Sequence, residues 1–247
     1  MPHASGTIGF DFGGTLFARL REAVRNEWDA YVGHRFVRSL GNGTLERGAY
    51  RRFLIQDALY LLQYARALSL AVVKADSLEE MRAASAAVHA LLHGEMALHL
   101  GFCRDLGLDE AALLREEPTL ETLAYGGFVM DRAQTGDALD LQVALTACLV
   151  GYAEAGARIA ADPATARIDH PYRRWIDTYA GGDYRGLAAA GVIRLDAMAR
   201  RRGGDARFPA LLADFRTAVR LERAFWDGAL REPSAVAVLG EALPGDA

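Results

Sequence analysis

Three short stretches carry residue types able to do covalent chemistry on a small molecule. The first is Ala147-Cys148-Leu149-Val150-Gly151-Tyr152-Ala153-Glu154-Ala155-Gly156. Cys148 and Tyr152 stand one helical turn apart there, among small residues that cost helix stability unless they allow close packing or leave room for a ligand. A cysteine attacks as the thiolate, so a thiol of ordinary pKa about 8.5 must be acidified or must lose its proton to a neighbour. No histidine is adjacent in sequence, and the default reading of a single buried cysteine is a small core hydrophobe. The second stretch is Gln56-Asp57-Ala58-Leu59-Tyr60-Leu61, where Asp57, Tyr60 and Tyr64 share a helical face. If that face is buried, the carboxyl must meet either a tyrosine hydroxyl from another helix or a ligand. The third is Glu222-Arg223-Ala224-Phe225-Trp226-Asp227, an acid followed at i+3 and i+4 by two large aromatics. Between apolar walls a glutamate rises from about 4.3 towards neutrality and can hold a proton for general-acid work. Placed one position off the buried stripe, the same residue is a solvated acid.

Two other patterns are weaker. Glu95 and His99 lie at i, i+4 with His89 and His93 nearby, a spacing that could ligate iron or zinc. Diiron bundles, however, use a repeated Glu-x-x-His, which is absent, so no metal is expected. Asp11-Phe12-Gly13-Gly14-Thr15-Leu16 looks like the phosphate loops of haloacid-dehalogenase-type phosphatases and of sugar-kinase-type enzymes. Both need a preceding strand, and Gly13 stands where the first needs its second acid. The stretch reads as a leader that ends in a Thr15 or Gly14 cap for the first helix.

The elements that must position these residues are helices. Leu16, Leu20, Val24, Trp28, Tyr31 and Val32 recur along one helical stripe, and the same period runs through almost the whole chain. The pattern predicts helices near 16–33, 46–73, 77–105, 109–116, 118–134, 137–161, 170–180, 183–202 and 208–231. Gly41-Asn42-Gly43, Glu117-Pro118 and Asp162-Pro163 mark breaks between them. The expected organisation is a leader over 1–15, one all-α domain over 16–231 and a tail over 232–247, with no linker long enough to separate domains.

Composition narrows the partners. Of 247 residues, 51% are hydrophobic and 24% charged, and 28 basic against 32 acidic side chains leave a net charge of −4. That balance supplies no broad positive field for nucleic acid or an anionic membrane, and Arg200-Arg201-Arg202 reads as a solvated helix end. The most apolar run, Leu141 to Ala161, is interrupted by Gln142, Glu154 and Arg158, which suits a core helix better than a membrane span. The amino terminus lacks the pattern of a secretory signal, so a cytoplasmic location is expected, with Cys103 and Cys148 as free thiols. Chemistry is therefore expected inside a pocket, on a small molecule.

Taken in order, the pieces resemble the TenA family, the thiaminase II or aminopyrimidine aminohydrolase family, from about Phe17 to Leu230. They are Trp28, His34-Arg35-Phe36-Val37 and Asn42-Gly43-Thr44-Leu45, then Gln56-Asp57 with Tyr60-Leu61, and Glu95-Met96-Ala97-Leu98-His99. Ala124-Tyr125, Ala147-Cys148 with Gly151-Tyr152-Ala153-Glu154, Tyr172 with Trp175-Ile176 and Thr178-Tyr179, and Glu222 with Phe225-Trp226 complete the series. The resemblance implies an all-α, single-domain haem-oxygenase-like helical bundle. It implies Cys148 as the nucleophile that adds to an aminopyrimidine ring, and Glu222 as the acid that bonds and protonates the ring. Asp57 would bind the ring's amino group and nitrogen edge. Tyr125 would lie near the cysteine, Tyr179 would contact the glutamate, and Tyr60, Tyr152 and Phe225 would form aromatic walls. The implied reaction is hydrolysis of an aminomethylpyrimidine or of thiamin to hydroxymethylpyrimidine, with no cofactor, in a homotetramer.

The chain departs from the family pattern at Arg35, where proline is common, at Val150, where an aromatic often stands, and in the leader through Thr15. Retention of Cys148 favours the branch that carries the cysteine. Two other readings stay open at this point: a haem-oxygenase-like oxidase, metal-free or diiron, and a non-catalytic pyrimidine-binding or regulatory protein.

Overall fold

The computed structural model describes residues 12–165 and 169–231. Most of the expected leader and the whole expected tail lie outside the described residues. Among the described residues there are twelve α-helices and no strands. In chain order these are α1 (Leu16–Ala23), α2 (Arg25–Val32), α3 (Arg35–Gly41), α4 (Arg47–Val73), α5 (Leu78–Ala90), α6 (Met96–Asp105), α7 (Glu110–Leu113), α8 (Leu120–Thr135), α9 (Ala138–Ala160), α10 (Arg173–Ala180), α11 (Gly182–Arg201) and α12 (Gly204–Leu230). A π-helical turn, Leu91–Glu95, joins α5 to α6, and a 3-10 turn spans Pro163–Thr165.

Capping side chains fix many of the starts. The hydroxyls of Thr15, Ser77 and Thr119 accept from the backbone N–H groups of Ala18, Glu80 and Thr122, and the Asp109 carboxylate from that of Ala112. Asp137 and Asp140 form a reciprocal capping box at the start of α9, satisfying donors that a helix leaves unpaired.

Helix α9 is the axis of the bundle. It packs against α8, α10, α11 and α12, and most of its residues are buried, including Glu154. It is long and apolar enough to cross a membrane but lies mostly inside the protein, as the interruptions at Gln142, Glu154 and Arg158 led us to expect. Close approach has specific causes. A Cβ on Gly156 would stand 2.6 Å from the backbone carbon of Tyr179, and one on Gly191 would stand 2.4 Å from Leu149 Cδ2. These glycines bring α10 and α11 against α9.

An aromatic layer fills the space between α9 and α12. Trp28 stacks on Phe215 with ring centroids 5.8 Å apart, and Phe36 stacks on Trp226 at 4.7 Å. The Trp28 indole donates to Glu154 Oε2 at 3.0 Å while Arg158 bonds the other oxygen at 2.5 Å. A buried carboxylate survives here because both oxygens are paired.

The structure differs from the sequence reading in four places. The helix expected over 16–33 breaks at Val24 (φ −122°, ψ 28°) into α1 and α2. The stretch after Gly33 is not a loop but α3, capped by the His34 ring and burying Phe36, Val37 and Leu40. The helix expected over 77–105 is interrupted by the π turn, which adds a residue to one turn and re-aims the side chains beyond it. The last helix starts at Gly204 instead of 208, with Pro209 inside it.

Candidate active site

The site is built by α9 and four helices that pack around it. α9 supplies Cys148 and Tyr152, α12 supplies Glu222 and Phe225, α4 supplies Asp57, Tyr60 and Tyr64, α8 supplies Tyr125 and α10 supplies Tyr179. The eight residues that the resemblance implies, Cys148, Glu222, Tyr125, Tyr179, Asp57, Tyr60, Tyr152 and Phe225, lie in or against this region, and seven of them are buried. Cys148 is the eighth and is half-buried. The possibility that Glu222 is a solvated acid does not hold, since it is 1% exposed.

Glu222 is held in a polar cage within apolar walls. The Tyr125 hydroxyl donates to its Oε1 at 2.8 Å. Burial lifts its pKa to about 7, opposed by the Tyr125 and Tyr31 hydroxyls and the Cys148 thiol that face it. A carboxyl poised there can both accept and release a proton near neutral pH. The Cys148 thiol is pushed well above its ordinary value, first by burial and then by the negative fields of Glu222, Glu95 and Asp57. The resting group is therefore a thiol, and a thiolate forms only as its proton leaves, with Glu222 the carboxyl facing it.

Asp57 lies across the chamber. It is 4% exposed, and burial, followed by the fields of Glu95 and Glu222, raises its pKa well above the carboxylate range. The Tyr152 hydroxyl donates to Oδ1 at 3.4 Å, and His99 Nε2 stands 3.3 Å from Oδ2. His99 is fully buried, and burial lowers its pKa to about 4, so the ring is neutral at physiological pH. The same Nε2 is 3.0 Å from the Tyr179 hydroxyl, which donates to Glu95 Oε1 at 3.4 Å. A chain of polar contacts thus runs from Asp57 through His99 and Tyr179 to Glu95.

Aromatic rings close the chamber. Tyr60 and Tyr125 stack at 4.3 Å, and Phe225 approaches Tyr60 at 6.1 Å. Tyr152 packs against Tyr179 at 5.1 Å and Trp226 at 5.2 Å. The Tyr31 hydroxyl faces Glu222 and the Tyr60 hydroxyl faces Tyr125, but among the described residues neither meets a partner in hydrogen-bond geometry. Buried hydroxyls are costly to leave unpaired, so the chamber is suited to a flat ring that carries polar edge atoms.

The chamber adjoins a cavity of about 620 Å³ that shares Tyr64 and Tyr179 with it and whose walls also include Glu95, Leu149 and Tyr184. Glu95, at the end of the π turn, is a second carboxyl lifted by burial to about 7.

The glutamate that Tyr179 contacts is Glu95, while Glu222 is engaged by Tyr125. The small residues around Cys148 serve close packing: a Cβ on Gly151 would stand 2.2 Å from the Tyr31 ring. The sequence reading missed Tyr31 as a site residue because it falls on the core stripe of its helix; the glycine opposite it was the available signal. It also missed the role of His99, which faces Asp57 instead of pairing with Glu95 at a metal. His89 and His93 stack on each other at 4.4 Å, and among the described residues no three histidine, cysteine or acidic side chains cluster as a metal site.

Comparison with known proteins adds the following. The model of the TENA/THI-4/PQQC family matches residues 21–232. A curated protein of Halalkalibacterium halodurans named aminopyrimidine aminohydrolase is 37% identical over 217 residues, covering 87% of this chain and 95% of its own. A crystal structure described as a TenA family transcription regulator from Silicibacter sp. TM1040 is 40% identical, with a TM-score of 0.82, covering 88% of this chain and 98% of its own. A Shewanella denitrificans domain described as having a heme oxygenase-like fold superposes with a TM-score of 0.63 at 13% identity, covering 92% of this chain and 95% of its own. That last likeness concerns fold alone, and it agrees with the helical bundle expected from sequence.

Proposed function

As a member of the TENA/THI-4/PQQC family, the chain is an enzyme of the aminopyrimidine aminohydrolase kind, and we propose that Cys148 and Glu222 together release 4-amino-5-hydroxymethyl-2-methylpyrimidine from an aminomethylpyrimidine or from thiamin. The observation that carries this reading is the carboxyl of Glu222 near neutrality, held by Tyr125 and facing the Cys148 thiol. In this account Asp57 bonds the ring's amino group and nitrogen edge, between the walls of Tyr60, Tyr152 and Phe225. The thiol proton passes to Glu222 and on to a ring nitrogen as sulfur bonds to a ring carbon. The electron pair released into the ring expels the nitrogen substituent from the 5-methylene, and the substituent leaves with the bonding pair. Water then adds its oxygen to the methylene, its proton goes to the departed amine or to solvent, and sulfur leaves the ring with its electrons as the ring nitrogen returns its proton through Glu222 to the thiol. Covalent addition divides a difficult displacement into two easier steps.

A transcription regulator that binds nucleic acid directly is the contrasting reading, since the Silicibacter chain is described as a transcription regulator. The net charge of −4 argues against it here, because phosphate-backbone binding draws on a positive surface. A cytoplasmic, self-associating enzyme is part of the proposal. Exposed Val73, Leu78, Met81, Leu187 and Ile193 support self-association. The function is tested by incubating the protein with the aminomethylpyrimidine and with thiamin and following the hydroxymethyl product by chromatography. Product from either substrate is expected, and none from both would refute the reading.

A further inference from the structure

The cavity that adjoins the chamber at Tyr64 and Tyr179 is much larger than the smallest leaving group needs. Ammonia, like a water molecule, takes up about 30 Å³, whereas the space bounded by α4, α5, α9 and α11 holds about 620 Å³. Its walls are largely apolar, with Leu68, Ala87, Leu91, Leu145 and Leu149 among them. Four charged side chains stand on its walls, of which Asp177 and Asp183 are exposed while Glu95 and Arg194 are half-buried. Glu95 stands on the Cys148 side, where burial and the Tyr179 hydroxyl govern its proton affinity. Arg194, on α11, is half-buried and close enough to Tyr64 to favour that phenol's ionised form.

No carboxylate lies within ion-pair distance of Arg194 among the described residues. Its neighbours on the same helix differ in this respect. Arg201 pairs with Glu80, and Arg202 with Asp76 and Glu80 at 3.5 Å for the latter. Those two arginines and Arg194 line a second hollow of about 660 Å³ that shares Leu68, Ala87, Gln142 and Leu145 with the first. Arg194 is thus the guanidinium common to two joined spaces, and it has no internal counter-charge. A half-buried guanidinium forms strong charge-assisted bonds when an oxyanion reaches it.

We propose that this cavity is the leaving-group subsite, and that it takes a substituent which is cationic where it joins the pyrimidine methylene and anionic at its far end, the anion bonding to Arg194. The chemical class is an azolium or ammonium that carries a phosphate ester or a carboxylate. The inference rests on the hydrolase reading above and deepens it. In the reaction the methylene–nitrogen bond breaks with its pair staying on nitrogen, so an azolium leaves as a neutral azole. Water supplies the hydroxyl to the methylene, its proton goes to solvent, and the anionic tail is unchanged. Glu95 lies on the side where the positive charge is lost, Arg194 where the negative charge remains.

The test compares kcat/KM for thiamin, thiamin monophosphate and the analogue of thiamin whose terminal alcohol is oxidised to a carboxylate, in the wild type, Arg194→Met and Arg194→Lys. The wild type should favour at least one anionic substrate over thiamin by about tenfold. Arg194→Met should remove most of that preference, and Arg194→Lys should retain part of it. Which of the two anionic substrates is favoured distinguishes phosphate from carboxylate. A second arm needs no turnover: calorimetry of hydroxyethylthiazole phosphate against hydroxyethylthiazole, with the same three proteins. Tighter binding of the phosphorylated thiazole, lost in Arg194→Met, would support the subsite even if none of the three substrates is hydrolysed, an outcome that would tell against the hydrolase reading alone. Hydrolysis of thiamin with no preference for either anionic substrate, or equal calorimetric affinities in the wild type, overturns the proposal.

Discussion

Replacing Glu222 by Gln should abolish catalysis and stabilise the fold, and the two effects should separate by pH. Glutamine keeps an oxygen for the Tyr125 hydroxyl, now 2.8 Å from Glu222 Oε1, and removes the titrating proton. The folded-state pKa is raised from 4.5 to about 7, so the native state holds a proton that the unfolded chain has already lost between those values. Stability is then full below about pH 4.5 and falls as pH rises to about 7, where the ionised carboxyl costs the fold about 3 kcal/mol. The residue is 1% exposed, so solvent screens little of this. Glu222→Gln escapes that cost. Relative to the wild type its Tm should rise by roughly 6–12 °C at pH 8, at about 2–4 °C per kcal/mol for a chain of this size, and by close to nothing at pH 4.5. Turnover should fall by at least about a hundredfold, the usual contribution of a positioned acid or base. Paired thermal melts and product assays at the two pH values test both. A Tm difference that does not grow with pH would refute the assignment of Glu222 as a buried carboxyl held near neutrality.

Three further outcomes follow from the same geometry. Tyr125→Phe removes a bond that favours the ionised form of Glu222, so the limb of the pH–rate profile set by that group should move to higher pH. Alkylation of Cys148 by iodoacetamide should be slow at pH 7 and rise only well above pH 9; in Glu222→Gln, with the leading carboxylate field removed, the midpoint should move down. Gly151→Ala places a Cβ 2.2 Å from the Tyr31 ring, an overpacking worth about 1–3 kcal/mol of lost stability in chemical denaturation; because Tyr31 faces Glu222, kcat should fall as well.

The helical character and most boundaries were legible because long helices repeat their apolar pattern many times. Short elements were not. The seven-residue α3 offers too few turns to show a period, and its cap is a histidine ring that looks unremarkable in sequence. The break at Val24 and the π turn at Leu91–Glu95 leave the apolar stripe nearly intact, so nothing local announces them. At the site, Asp57 and Glu222 were legible as acids among aromatics. What covers them was not, because the partners come from distant segments: Tyr125 is 97 positions from Glu222 and Tyr152 is 95 from Asp57. The role of His99 was hidden for the same reason: the metal pair its spacing from Glu95 offered had been set aside, and only the packing of α6 against α4 shows that its ring faces Asp57.

The claim at the centre of this account is that Cys148 forms a covalent bond during hydrolysis. It is tested most directly by measuring hydroxymethylpyrimidine release from the aminomethylpyrimidine by the wild type and Cys148→Ala side by side, with melting curves confirming that both are folded. The account expects release by the wild type and a loss of several orders of magnitude in Cys148→Ala. Comparable release by the folded variant would contradict it.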